Sequence, residues 1–293
     1  MDLGIAAKQA DANASVEDVV ALGAGQESVE AWRQRCRIQP NQQIRLVRLA
    51  YMRYLHPDLD KTTVATDFGM VVAHRTETEI WFRGYGTDAY VYYGREGPKA
   101  FLGGVYEVVS YQDLEKWLTD APGKGHLVAL TDPSGLPKII YNYEIEKPCV
   151  RKSQQFNVGP AAVHKEANGQ KKDVAVVPHI DRGEGLVDHH SFFINSDAST
   201  HAHHSSFEAH DFDTQKLGHQ WLAGKGYTSV WGVVRHILGF KIFDYWWDTT
   251  GNTIEHYADG DLVNNKTPIG YGPAGDESLA VWGLRYQLGF CSD

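Results

Sequence analysis

Short apolar runs, rich in β-branched and aromatic residues and broken by glycine-containing turns, set the rhythm of this chain from Gln43 onward. Runs of that kind read as strands. They predict strands over Ile44–Tyr54, Gly69–Arg75, Thr78–Gly84, Ala89–Gly94 and Leu102–Val109, with a short helix at Leu59–Phe68. Tyr111–Leu118 reads as a helix, and Val128–Thr131 and Lys138–Tyr143 flank an Asp132-Pro133-Ser134-Gly135 turn. The order then returns. His190–Ile194 and His204–Ala209 are predicted strands and Thr214–Gly224 a helix. Lys241–Trp247 and Asn252–Tyr257 form a hairpin around Asp248-Thr249-Thr250-Gly251. Strand, helix, then several strands is an α+β pattern, not a doubly wound one.

The recurrence is an internal repeat. Setting Val105-Tyr106-Glu107 on Ser206-Phe207-Glu208, and Asp132-x-x-Gly135 on Asp248-x-x-Gly251, puts His204 opposite Gly103 and Glu255 opposite Ile139. One copy keeps side chains that can bind a metal where the other has none. That asymmetry is expected when one half does chemistry and the other is structural. The reading divides the chain into a loosely ordered arm (1–42, with a short helix across Ser28–Arg37), an N-terminal non-metal half (43–147), a C-terminal catalytic half (148–267) and a tail (268–293).

Composition narrows the function. A hydrophobic fraction of 42% with 22% charged residues suits a soluble globular protein. No apolar run is long enough to span a bilayer, and Met1-Asp2-Leu3 does not open a secretory signal, so the expected location is cytoplasmic. A net charge of −9 without clustered Lys or Arg argues against a nucleic-acid partner. Cys36, Cys149 and Cys291 are odd in number and far apart, which fits neither a disulfide framework nor a zinc spacing. Histidine is the unusual residue, with positions 189, 190, 201, 203, 204 and 210 crowded into one stretch.

Strand geometry sorts the candidates. Neighbouring side chains on a strand point to opposite faces, so His203 and His204 should not ligate one centre. Phe243, Tyr245 and Trp247 share one face of their strand, and Asp244 and Trp246 the other. One His and one Glu on neighbouring strands supply two ligands. A second His would complete a two-histidine, one-carboxylate set, which leaves open positions on iron(II).

The segments His203-His204-Ser205-Ser206-Phe207-Glu208, Trp231-Gly232-Val233-Val234-Arg235-His236 and Asp248 to Tyr257 resemble the extradiol dioxygenases of the vicinal oxygen chelate superfamily. Asp188-His189-His190-Ser191-Phe192-Phe193 lies upstream in the matching order. The resemblance implies tandem βαβββ modules, an Fe(II) cofactor (Mn(II) as an alternative), a catecholic substrate and O2, and a homo-oligomer as a common assembly. It implies that His204 and Glu255 bind the metal and that His190 is the acid–base histidine. It further implies that His236 and Tyr245 hydrogen-bond the catechol oxygens or the oxygen intermediate. A silent member binding an aromatic ligand or a partner, and a glyoxalase-like isomerase or lyase, are the other classes open to such a chain.

The chain departs from the family pattern where the first metal histidine belongs. After Gly159 to Lys165 it passes directly to Glu166-Ala167-Asn168-Gly169-Gln170, so that one module reads as truncated. Either His164, or less readily His179, is then the substitute third ligand, or the chain is a truncated form or a silent descendant with none. Loss of a strand and helix there predicts an exposed sheet edge and exposed apolar surface.

Overall fold

The longest predicted strand forms as β2 (Leu46–His56) and becomes the centre of a six-stranded sheet. The computed structural model describes residues 25–120, 138–141, 156, 158–165, 173–189, 194–195, 202–237, 239–273 and 280–282. After β2 come a four-residue helix α2 (Leu59–Thr62), a 3-10 turn over Thr63–Thr66, then β3 (Val71–Arg75), β4 (Glu79–Arg83) and β5 (Tyr92–Glu96). The helix expected over Leu59–Phe68 is α-helical only in its first turn. Thr62, Thr63, Val64 and Thr66 make four β-branched residues in five positions there, and β-branched residues favour helix weakly. The strand predicted to end at Gly94 runs on to Glu96, because Gly94 is a packing glycine. A Cβ there would press on His56 and Ile80 at 3.1 Å.

β2 runs parallel to β5, and β3, β4 and β5 are antiparallel in turn. The last third of the chain repeats this wiring. β12 (Ser205–Glu208) leads into a helix, α4 (Phe212–Gly224), then β13 (Ser229–Arg235), β14 (Ile242–Trp247) and β15 (Thr253–Ala258). β12 is parallel to β15, and β13, β14 and β15 are antiparallel. Both units are βαβββ modules, so the α+β expectation holds. Asp211 starts α4 by accepting the Thr214 N–H at 2.7 Å, a standard N-cap.

The repeat register needs correction. β6 (Ala100–Val108), α3 (Tyr111–Asp120) and β7 (Lys138–Tyr141) follow β5, and β7 is antiparallel to β6. Ile140 pairs with Val105, whereas Glu255 pairs with Ser206 in a parallel ladder. The counterpart of the β12–β15 module is therefore the β2–β5 module, and Ile139 does not stand in for Glu255. The Asp132–Gly135 turn lies outside the described residues.

A third sheet gathers distant pieces: β1 (Gly25–Glu27), β17 (Ile269–Pro273), β8 (Val158–Lys165), β9 (Asp173–Ile180) and β11 (Ile194–Asn195), in that order. β8 is paired on both sides, by β9 and by β17, so the exposed edge expected there is covered. Residues 25–42, expected to be loosely attached, carry the expected short helix as α1 (Val29–Arg35), capped by Ser28, and it is docked. Val29, Trp32 and Ile38 bury against Ile269. The tail beyond 267 contributes β17, a central strand. Neither docking has a local signature, because each apolar face is short and finds its partner across the whole chain length.

His179 closes β9 at 1% exposure. Burial, opposed by a hydrogen bond to the Ile180 carbonyl and aided by the charges of Arg33 and His189, takes its pKa down to about 4 from 6.5. The unfolded chain then binds the extra proton between those values. The stability from the neutral ring is complete above pH 6.5 and is lost as pH falls toward 4. We expect a loss of about 3 kcal/mol over that window. Urea midpoints at pH 7 and pH 4.5 should converge in His179→Asn, if that ring is the cause.

Candidate active site

The βαβββ module of β12–β15 places one row of side chains across one sheet face. Ser206 pairs with Glu255, Glu255 with Tyr245, and Tyr245 with Trp231. Side chains on a strand alternate, so Phe243 and Tyr245 lie in one cluster with Trp247 alongside. Trp246 and Ile254 pack on the opposite face with Leu222 of α4 and Phe68 of the N-terminal half. The split expected from the period of two is the one observed.

Contacts from the N-terminal half support this module. The Tyr54 hydroxyl lies 2.6 Å from Ser205 Oγ at the start of β12. His56 Nδ1 lies 2.8 Å from Thr250 Oγ1 in the turn before β15. His256 Nε2 lies 3.0 Å from the Phe68 carbonyl. The two segments bearing His204 and Glu255 are thus tied to the same neighbouring sheet.

Glu255 is fully buried, and His204 Nε2 stands 3.4 Å from its Oε2. His236 Nε2 lies 4.0 Å from Oε1 and 3.1 Å from the Tyr245 hydroxyl. The His236 ring stacks on Phe243 with centroids 3.8 Å apart, which fixes its plane. The His204 ring meets Tyr245 edge-on at 5.0 Å. Four of the five residues singled out from the sequence are therefore brought together, and His190 lies outside the described residues.

Two other side chains, which the sequence motifs do not single out, complete the arrangement. Lys241 Nζ makes an ion pair with Glu255 Oε2 at 2.9 Å, and both side chains are buried. Ser206 donates its hydroxyl to the same oxygen. Burial would push the Glu255 carboxyl up. The charge of Lys241, a hydrogen bond from His204 and the charges of His204 and His236 outweigh it and hold the group well below the usual carboxylate range. Only the position of Lys241 ahead of Ile242–Trp247, a strand with Asp244 as its one charged residue, marks it in the sequence, and that position does not name its partner.

The expected separation of His203 from His204 does not occur. β12 begins only at Ser205, and in the loop before it the two Nδ1 atoms approach to 2.7 Å. His189 lies in the bend after Asp188 and is buried against Gly239. A Cβ at Gly239, where φ is +80°, would overlap its ring. Only glycine meets both demands.

The pair His204 and Glu255 fits two positions of a two-histidine, one-carboxylate set. Oε1 of Glu255 is buried and makes no hydrogen bond among the described residues, as an oxygen reserved for a cation would be. Among those residues no group of three His, Cys, Asp or Glu is arranged to hold a metal. His179, the less readily taken candidate for the third ligand, is buried, with its Nδ1 3.2 Å from the Ile180 carbonyl. His164 lies on β8, where its backbone pairs with Ala175 and Gly272.

No model of a protein family matches the chain. Metapyrocatechase 2 from Cupriavidus necator is 30% identical over 173 residues, 57% of this chain and 51% of that protein. The chain thus spans about half the length of the curated relative it matches. The solved structure of homoprotocatechuate 2,3-dioxygenase from Arthrobacter globiformis superposes with a TM-score of 0.69 at 16% identity, covering 86% of this chain and 92% of that one. A Mn(II)-bound glyoxalase from Novosphingobium aromaticivorans gives 0.63 at 16% identity, over 82% and 92%. With two parallel-closed βαβββ modules in the same chain, this protein has the vicinal oxygen chelate fold, and over those 173 residues it is a sequence relative of a metapyrocatechase.

Proposed function

We propose that the chain is an oxidoreductase that opens a catechol or substituted catechol ring next to the diol, using dioxygen. One observation carries the reading: His204, Glu255, His236 and Tyr245 converge beside one sheet face, and Glu255 Oε1 makes no hydrogen bond among the described residues. His204 and Glu255 would hold iron(II), with manganese(II) as the alternative. When bound, such an ion would ease ionisation of the catechol hydroxyls and hold ring and dioxygen adjacent.

The protein's own groups then have defined tasks. His236 Nε2 and the Tyr245 hydroxyl, 3.1 Å apart, are placed to hydrogen-bond the catechol oxygens. The stack of His236 on Phe243 and the packing of Tyr245 beside Trp231 keep both from turning away. In this proposal His190 accepts the second hydroxyl proton and later returns it, a role that suits an imidazole titrating near neutrality. The aromatic wall of Trp231, Phe243 and Tyr245 limits water around the ring.

The test is oxygen uptake by protein reconstituted anaerobically with iron(II), then given catechol and 3-methylcatechol. We expect uptake matched by a yellow ring-opened product. A folded, iron-loaded sample that consumes no oxygen with either substrate would defeat the reading. Turnover of a substrate without oxygen would point instead to the glyoxalase-like class.

A further inference from the structure

We propose that Lys241 is the resident counter-cation of this site, and that a divalent metal engages Glu255 only by displacing its ammonium. The inference rests on the metal-site reading above and adds to it a residue that governs loading. Lys241 Nζ lies 2.9 Å from Glu255 Oε2, with the two side chains 4% and 0% exposed. His204 Nε2 approaches that same oxygen at 3.4 Å, and Ser206 donates to it. Oε2 is therefore crowded with polar neighbours, while Oε1 makes no hydrogen bond among the described residues.

The charges explain the consequence. A carboxylate and an ammonium that have both left water compensate each other, so the fold tolerates Glu255 without a metal. A divalent ion between His204 and Glu255 would be a second cation on one buried carboxylate, and like charges in a low-dielectric site repel strongly. Lys241 has a place to retreat to. Its Nζ already lies 4.4 Å from the centroid of the Tyr257 ring, a cation–π distance. The Tyr257 hydroxyl is anchored on Asp188 at 2.8 Å, which keeps that ring in position. The loop before Lys241 turns through Gly239 and Phe240 at φ of +80° and +53°, and its backbone is tied by the bond from His236 N to the Lys241 carbonyl at 2.9 Å. The same short loop thus positions His236 and delivers the ammonium.

The test uses Mn(II) as the probe, titrated into the full chain by calorimetry and by the EPR signal of the free ion. Wild type is compared with Lys241→Met, with Lys241→Gln, and with Lys241→Met combined with His204→Ala. Both single variants should bind Mn(II) at least about tenfold more tightly than wild type, through release of the competing charge. That gain should vanish when His204 is also removed. A variant that folds only when Mn(II) is present supports the proposal equally, because the metal then replaces the missing ammonium. If wild type binds Mn(II) and the folded variants bind it no more tightly, the Lys241 inference fails while the metal-site reading stands. Absence of binding in wild type and in both variants overturns the two together. Variants that stay unfolded with and without Mn(II), or a gain that survives loss of His204, also overturn the role given to Lys241.

Discussion

Glu255→Gln is expected to abolish catechol cleavage and to weaken the fold in the same stroke. The activity loss should exceed the roughly 10- to 100-fold that follows from removing a partner which merely orients a metal ligand, because in the proposed site Glu255 is itself the ligand. The stability loss has a separate cause. The amide strips away the charge that faces Lys241 Nζ at 2.9 Å in a site closed to water. Breaking a buried pair by removing one partner costs about 3–5 kcal/mol. Denaturant unfolding would read the second effect and oxygen uptake the first. The double variant Glu255→Gln with Lys241→Met should recover part of the stability and none of the activity. Retention of wild-type stability in the single variant would mean that the pair is not buried as described.

Trp246→Ala should be the most damaging substitution on the opposite face of the same strand. Trp246 is 1% exposed and packs with Phe68, Leu222 and Ile254, so it joins the two halves of the chain. Emptying that volume costs about 3–5 kcal/mol. Its Nε1 also donates to Asp244 Oδ2 at 2.7 Å, and a buried carboxylate that loses a donor adds about 1–3 kcal/mol. The sum rivals the whole stability of a typical domain, about 5–15 kcal/mol. Trp246→Ala should therefore be largely unfolded at 37 °C by circular dichroism. Trp246→Phe, which keeps most of the volume and loses only the donor, should remain folded. A midpoint for Trp246→Ala close to that of Trp246→Phe would show that the cavity collapses and that the packing argument is wrong.

Much of this arrangement is legible in the amino-acid sequence. Alternation along Ile242–Trp247 separates Tyr245 from Asp244 and Trp246, and the fold keeps that separation. The pairing of His204 with Glu255 can be read because each sits in a short motif of the same module. Lys241 escapes such a reading because its importance lies in what it meets, and its partner stands fourteen residues away across a hairpin. The opposite-face argument for His203 and His204 fails, since it assumes strand geometry just before the strand begins. The repeat is real, but its Asp-x-x-Gly turns align it to the wrong module. Such turns recur wherever a hairpin needs one and carry no information on strand direction.

By itself the sequence determined the α+β pattern and the recurrence of strand, helix and several strands along the chain. Those properties follow from local periodicity and turn chemistry, which act over a few residues. Tertiary structure alone decided that residues 25–27 and 269–273 join one sheet beside β8, and that Tyr54, His56 and Phe68 brace the site from the other half. It alone set Lys241 and His204 on the same carboxylate oxygen. Burial, and the low dielectric that makes a single ion pair decisive, come from how distant segments close over one another, and no local pattern encodes that closure.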